Sequence, residues 1–193
     1  MKKIIITAFV ALLSIVQIAC ANSNQKTTGV TKTPTEIAQD TDLGKVDAAT
    51  KKQLNDLLNA YYAVKDALVA TDGKVAKAKS SEFIAVLAKV ETSKMSEPQK
   101  KVWLSYAEKI KLNAKHINET EDTNHQRDYF QGLSDNLYAI IKAFKANSMT
   151  TYRQYCPMAF ENKGAFWLSD KKEVRNPYFG NKMLKCGSVK EEL

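Results

Sequence analysis

Apolar residues recur at helical spacing along most of the chain after residue 50, and this periodicity restricts the fold more than any other feature. In each of four segments they return every three or four residues, which gives a helix one apolar face. Helices with such faces and short connections pack side by side, so the sequence predicts an all-α fold, an antiparallel four-helix bundle. The predicted core residues are, helix by helix, Leu54, Leu57, Leu58, Tyr61, Val64 and Leu68; Ala76, Phe83, Leu87 and Val90; Trp103, Tyr106, Ala107, Ile110, Ala114 and Ile117; and Phe130, Leu133, Leu137, Ile141 and Phe144.

Residues typical of helix ends separate these segments. Gly73 is predicted to end the first helix, because glycine tolerates the left-handed conformation of a C-terminal cap. Ser96 with Gln99 forms a capping-box pattern before the third helix, and Thr123 with Gln126 repeats it before the fourth. The connections are therefore expected to be short.

The helical period ends after Asn147, and aromatic residues, glycines and prolines become frequent. This texture predicts a small irregular C-terminal cap, at about residues 150–190, packed on one end of the bundle. The letters GAFWLS, residues 164–169, predict a short strand. We expect it to form a β-hairpin with residues near Met158.

The first twenty residues have the pattern of an export signal, with two lysines before an apolar run, residues 4–16, too short to span a membrane comfortably. Ile18-Ala19-Cys20 resembles a bacterial lipobox, in which Cys20 is lipidated and becomes the new N-terminus. Ala19-Cys20-Ala21 also fits an ordinary signal peptidase site. We favour the lipoprotein interpretation, and both predict export to a compartment that permits disulfides.

The composition divides the rest of the chain into two parts. Residues 21–48 are rich in Asn, Ser, Thr, Lys and Gln without apolar periodicity, which predicts a disordered tether. Residues 49–193 are long enough for a single domain with its own core. The net charge is +8, but acidic residues lie among the lysines, so a solvated surface is favoured over nucleic-acid binding. Arg127 and Asp128 are expected to form ordinary ion pairs.

Two sulfur pairs in the tail form the most distinctive chemical pattern. YCPMAF contains Cys156 and Met158, and NKMLKCG contains Met183 and Cys186. Thiols and thioethers are soft donors that prefer Cu(I) to Mg²⁺, Ca²⁺ or Mn²⁺. If the tail folds back so that the pairs meet, these four residues predict a metal site.

Two histidines flank the connection between the third and fourth helices, so we expect them at the same end of the bundle. His125 is the preferred additional ligand for the predicted metal site, and His116 is the other candidate.

A structural disulfide is the competing interpretation of the same cysteines. Apart from Cys20, only Cys156 and Cys186 remain in the exported chain. A bond between them would close a loop of about thirty residues and stabilise the domain by roughly 3–4 kcal/mol. Met158, Met183 and a histidine would still be available to a metal, so the sequence leaves both interpretations open.

Enzyme signatures are missing from the sequence. It contains no GxSxG elbow, HExxH pair, phosphate-binding glycine loop or dinucleotide fingerprint. The absence of CxxC argues against a thioredoxin-type oxidoreductase. We therefore expect a protein that is not an enzyme.

Several segments carry a resemblance to a known family. The tail letters CPMAF, WLS and RNPYFGNKMLKCG, together with YYAVKDALVATDGKVA and HQRDYFQGLS, resemble the domain of unknown function 3347 family over about residues 50–190. Members of that family are exported proteins of Gram-negative bacteria and C-terminal appendages of periplasmic adaptors in copper and silver efflux systems. The resemblance implies a role in heavy-metal binding and no established enzymatic activity. The Cys-Pro-Met core is also similar to short heavy-metal-binding segments, but Ala159 stands where those segments have a histidine.

These observations lead to two hypotheses. In the first, the protein is a periplasmic or envelope lipoprotein that binds Cu(I) or Ag(I), as a scavenger or as a metal donor to an efflux adaptor, and contacts the membrane through its N-terminal lipid only. In the second, it is an envelope protein-interaction module that binds no metal, with Cys156 and Cys186 joined in a structural disulfide.

Overall fold

The computed structural model describes residues 42–193. Three predictions therefore lie outside the described residues: the signal sequence, the lipidation of Cys20 and most of the tether. Within residues 42–193, no helix has both the length and the apolar character needed to cross a bilayer.

Four long helices packed together form the main body, as the periodicity predicts. Nearly all of the predicted core side chains are buried, while Val90 and Ala107 are partly buried against that core. The helices are α1 (Ala48–Val69), α2 (Gly73–Leu87), α3 (Glu97–Glu119) and α4 (Thr123–Phe144).

The capping box predicted before α3 is present. The Gln99 amide N–H donates to Ser96 Oγ at 3.4 Å, and the Ser96 amide N–H donates to Gln99 Oε1 at 3.1 Å. The NH₂ group of the Gln99 side-chain amide donates to the Leu43 carbonyl at 2.9 Å, and Leu43 is buried. The residues that precede α1 are thereby fixed to the start of α3.

The predicted helix ends at the other two connections are wrong. Gly73 is the first residue of α2, and the left-handed residue after α1 is Thr71, with φ of 57°. The N-cap of α4 is Asp122, whose carboxylate accepts the Asn124 amide N–H at 2.9 Å. Thr123 is already inside that helix.

Tertiary contacts between these two connections explain both corrections. The buried Gln126 side chain donates to the carbonyls of Gly73 and Thr120 at 2.8 Å each, and to that of Ile117 at 3.3 Å. A Cβ on Gly73 would lie 1.9 Å from the Glu121 carbonyl oxygen. Gly73 therefore serves close packing between the α1–α2 and α3–α4 connections.

The C-terminal cap contains a three-stranded antiparallel sheet with the order β2-β1-β3. The predicted strand is β2, and its partner is β1, which ends two residues before Met158. The third strand was not predicted, so the cap is more regular than its glycines and prolines suggest. The elements are β1 (Tyr152–Cys156), a short helical segment α5 (Ala159–Asn162), β2 (Ala165–Ser169), a 3-10 turn (Gly180–Lys182) and β3 (Ser188–Glu192).

Aromatic and charged side chains attach the sheet to α4. The Arg153 guanidinium lies 3.7 Å from the ring centroid of Tyr138 and 3.9 Å from that of Phe166. Glu191 of β3 accepts the Tyr138 hydroxyl at 2.6 Å and the Lys142 ammonium at 2.7 Å. Strands from both ends of the tail are therefore fixed to the same helix.

Candidate functional site

The two tail cysteines lie side by side, as either interpretation of the sequence requires. Cys156 is the last residue of β1 and is buried, whereas Cys186 precedes β3 and is half-buried. Their Sγ atoms are 2.7 Å apart, although the residues are 30 positions apart in the chain. This separation is nearer to the disulfide length of about 2.0 Å than to the roughly 3.5–4 Å between two thiolates on one metal ion.

Strand pairing and one buried asparagine bring Cys186 to this place. Tyr155, next to Cys156, pairs with Ser188 in the β1–β3 ladder. The Asn176 side chain donates to the Cys186 carbonyl at 2.8 Å, and its main-chain N–H donates to the Leu184 carbonyl at 2.8 Å. Asn176 thus positions the segment that contains Cys186, a role that the sequence analysis missed. The dipeptide Asn176-Pro177 was the available signal, because Asn-Pro favours the start of a turn.

The surroundings of Cys186 favour a neutral thiol in the reduced state. Burial and, second, the adjacent Cys156 thiol raise the pKa of Cys186 to about 11, although a main-chain hydrogen bond from Met158 acts in the opposite direction. A thiol binds a metal only as the thiolate, so a metal would have to displace a tightly held proton.

The main chains of the two predicted methionine ligands form hydrogen bonds with Cys186. Met158 is 47% exposed and directly precedes α5. Met183 is half-buried after the 3-10 turn, and its carbonyl accepts the Cys186 amide N–H at 3.0 Å. Coordination by the two thioether sulfurs stays a prediction.

The two histidines lie together at one end of the bundle, as the sequence predicts. Their ring centroids are 6.3 Å apart, and the Tyr129 ring contacts both, at 4.1 Å from His116 and 4.9 Å from His125. His116 Nδ1 is 3.1 Å from a carboxylate oxygen of Glu119. No cluster of three or more His, Cys, Asp or Glu side chains suited to a metal ion occurs within residues 42–193, so His125 does not join both cysteines.

An apolar groove between α2 and α3 was not predicted. It has a volume of about 190 Å³, and most of its lining is aliphatic or aromatic. The sequence contains only a faint signal for it, since Leu104 and Leu112 lie off the predicted core face of α3. The lining residues are Ile84, Leu87, Ala88, Val90, Trp103, Ala107, Glu108 and Lys111.

A second pocket, of about 150 Å³, lies between the first turns of α4 and the cap. Arg127 lines it and is only 8% exposed. The prediction of an ordinary ion pair is wrong for Arg127, because its hydrogen bonds to described residues all go to neutral oxygens. Those acceptors are the carbonyls of Pro177 and Leu68 and the hydroxyls of Thr71 and Thr123, at 2.8, 3.2, 3.0 and 3.5 Å.

One family model matches the chain. It is described as "Protein of unknown function (DUF3347)" and covers residues 57–149, from within α1 to just beyond α4. The match includes YYAVKDALVATDGKVA and HQRDYFQGLS and ends before the tail that contains the cysteine pair. No curated protein matches the chain. No solved structure matches it either.

Proposed function

We propose that this chain, which contains a DUF3347 domain at residues 57–149, is a non-enzymatic protein-interaction module of the cell envelope. The observation that carries the proposal is the apolar groove between α2 and α3. Its partner is an acidic amphipathic helix of another envelope protein. Cys156 and Cys186 form a structural disulfide in the cap, and a lipid on Cys20 holds the module at the membrane.

The groove has the character of a docking site. Leu104 is 66% exposed and Leu112 is 55% exposed, and they lie one turn before and one turn after Glu108 of the groove lining. Single exposed leucines are common, but two beside an apolar groove form a patch that a partner helix can cover. Apolar residues at helical spacing on the partner would fill the groove.

The charge of the same region supports an acidic partner. Residues 73–119, which contain α2 and α3, hold ten lysines, five glutamates and no aspartate. This region therefore carries a net charge of +5, out of +8 for the whole chain. Such a surface steers acidic partners towards the groove and repels basic ones.

Binding of a model helix tests the groove. The probe is a fluorescent synthetic helix with leucines on one face and glutamates on the other, measured by fluorescence anisotropy. We expect binding that weakens with added salt, and a loss of about tenfold in affinity for the double variant Leu104→Ser with Leu112→Ser.

Met149→Ser is the matched control, because Met149 is 69% exposed and lies outside the groove lining. It should leave the affinity unchanged. Equal binding by all variants, or no preference for the acidic helix over one with lysines in place of glutamates, would contradict the proposed docking site.

The cysteine geometry is the reason for choosing a disulfide over a metal. The two cysteines are unbonded in the structure, but their Sγ separation of 2.7 Å is shorter than two ligands of one ion allow and needs only a small approach to reach the disulfide length of about 2.0 Å. The raised pKa of Cys186, caused first by burial, also opposes thiolate ligation at neutral pH. In an oxidising compartment these features favour the bond.

Soft-metal binding is the second candidate, favoured by the convergence of two sulfurs from distant parts of the tail. In this alternative the protein binds Cu(I) or Ag(I) with Cys156, Cys186, Met158 and Met183, with His125 as a further donor after a local rearrangement. The ion would be cargo, scavenged or passed to a periplasmic efflux adaptor by ligand exchange.

Thiol titration under anaerobic conditions separates the two candidates. We expect no free thiol in the protein as isolated and denatured without reductant, and no copper retained after reduction and gel filtration with Cu(I). Two free thiols that one equivalent of Cu(I) protects from alkylation would instead support the metal site. The double variant Cys156→Ser with Cys186→Ser gives the background for both measurements.

A further inference from the structure

We propose that the pocket between α4 and the cap binds a small organic carboxylate through Arg127. The inference uses different residues from the groove and the cysteine pair, so it succeeds or fails independently of them. It rests on three features of the pocket: an uncompensated buried cation, aromatic walls, and supports that hold the guanidinium in place.

The charge of Arg127 is buried without an anionic partner among residues 42–193. All of its hydrogen-bond acceptors there are carbonyl or hydroxyl oxygens, and no carboxylate of residues 42–193 lies within ion-pair distance. Burial of this kind lowers the pKa of Arg127, which reflects the cost of placing a charge away from water. Four of its five N–H groups already donate to these acceptors, so an anion in the adjacent pocket would recover part of that cost through the remaining Nη1 N–H, as a charge-assisted hydrogen bond.

The charges around the pocket favour a ligand with little negative charge. Asn124 and Arg127 lie in the first two turns of α4, at the positive end of the helix dipole, but the Asp122 carboxylate already accepts the Asn124 amide N–H at 2.9 Å. Asp128 is exposed and also lines the pocket, so it opposes this potential at the rim. A ligand with one negative charge therefore fits better than a multiply charged phosphate.

The opposite wall of the pocket is aromatic. Phe160, Tyr178 and Phe179 line it, and the rings of Phe160 and Tyr178 meet edge to face with centroids 5.3 Å apart. A volume of about 150 Å³ has room for a compact ligand of a few heavy atoms to about the size of one ring. The carboxylate would face Arg127, and an apolar body would lie against the rings.

Tight backbone contacts hold the cation where it is. Gly180 has φ of 54°, and a Cβ there would lie 2.1 Å from Thr71 Oγ1 and 2.9 Å from an Arg127 nitrogen. Phe160 and Glu161 also have positive φ, at 51° and 57°, which non-glycine residues adopt only when their surroundings impose it. The pocket is thus preformed on both sides, which lowers the entropic cost of binding.

Benzoate is the probe, with benzamide as its neutral control of the same shape. The experiment is an NMR titration of the full chain with benzoate. We expect saturable chemical-shift changes at the amides of Asn124, Asp128 and Phe160. Benzamide and inorganic phosphate should bind at least about tenfold more weakly, since each lacks either the charge or the apolar body.

Variants assign the effect to this pocket. Asp128→Asn removes the opposing rim charge and should tighten benzoate binding about threefold, whereas Glu108→Gln, an equal charge change in the α2–α3 groove, should not. Arg127→Lys should weaken binding at least about tenfold while circular dichroism reports a folded helical protein. If Arg127→Lys unfolds, the comparison of Asp128→Asn with Glu108→Gln still tests the proposal.

Three results would overturn the proposal. These are no benzoate shifts at the pocket amides, equal binding of benzamide, and the same response to Asp128→Asn and Glu108→Gln. Phosphate binding in place of benzoate would also reject a carboxylate ligand.

Discussion

Loss of the proposed disulfide link between Cys156 and Cys186 is expected to lower the free energy of unfolding by about 3–4 kcal/mol, because a bond that closes a loop of this length restricts the unfolded chain. The residues are 30 positions apart, and their Sγ atoms already lie 2.7 Å from each other in the folded chain. For a domain of this size, the loss corresponds to a fall of roughly 6–15 °C in the melting temperature.

The effect should be concentrated in the cap. The loop closed by the link contains β2, the 3-10 turn and the aromatic wall of the Arg127 pocket. The core of the four helices does not depend on the loop for its apolar contacts, so helical signal should persist when the link is broken. Hydrogen exchange should accelerate first in β1 and β3.

Urea unfolding of the wild type with and without reductant measures the loss. The double variant Cys156→Ala with Cys186→Ala is the control, and its stability should not respond to reductant. The reduced wild type should lie close to this variant, apart from the small loss of packing at the buried Cys156. A wild-type midpoint that reductant leaves unchanged would exclude the disulfide.

The helical core was predictable because its cause is local and repeated. Each helix buries a face that recurs every three or four residues, and residues such as Leu57, Ile110 and Leu137 carry that signal without any knowledge of their partners. The capping box at Ser96 was predictable for the same reason, since all its atoms lie within four consecutive residues.

The two other helix ends were mispredicted because distant contacts decide them. Gly73 resembles a helix stop in sequence, yet its role depends on Glu121, which approaches from another connection. Gln126 resembles half of a capping box, yet its side-chain amide donates to three carbonyls, one at the start of α2 and two around the end of α3. Neither contact leaves a pattern at a fixed spacing.

The candidate site residues were likewise predictable only where the residue type itself carried the signal. Residue chemistry singled out Cys156 and Cys186, and the structure places them together. The sequence analysis missed the positioning role of Asn176 and the proposed binding role of Arg127, because an asparagine or arginine is ordinary until its surroundings are known. Burial and the lack of a counter-charge among residues 42–193 distinguish Arg127, and both are properties of the folded chain.

The substitution Gly73→Ala is expected to destabilise the protein by about 2–3 kcal/mol, the cost of forcing an extra carbon into a packed contact. Helix propensity alone predicts the opposite sign, a gain of up to about 1 kcal/mol for alanine over glycine. The contact should win, because the added Cβ would lie 1.9 Å from the Glu121 carbonyl oxygen and 2.8 Å from its carbon. Both are backbone atoms and cannot rotate away.

Gly132→Ala is the matched control, since Gly132 lies inside α4 and its added Cβ would meet only the end of the Asn113 side chain, at 2.8 Å. That half-buried amide is the end of a flexible side chain and can move, so helix propensity should dominate and the variant should be neutral or up to about 1 kcal/mol more stable. Urea unfolding should therefore show that the free energy of unfolding changes in different directions in the two variants, or at least differs between them by about 2 kcal/mol or more. Equal effects at both positions would mean that the α1–α2 and α3–α4 connections are not in backbone contact.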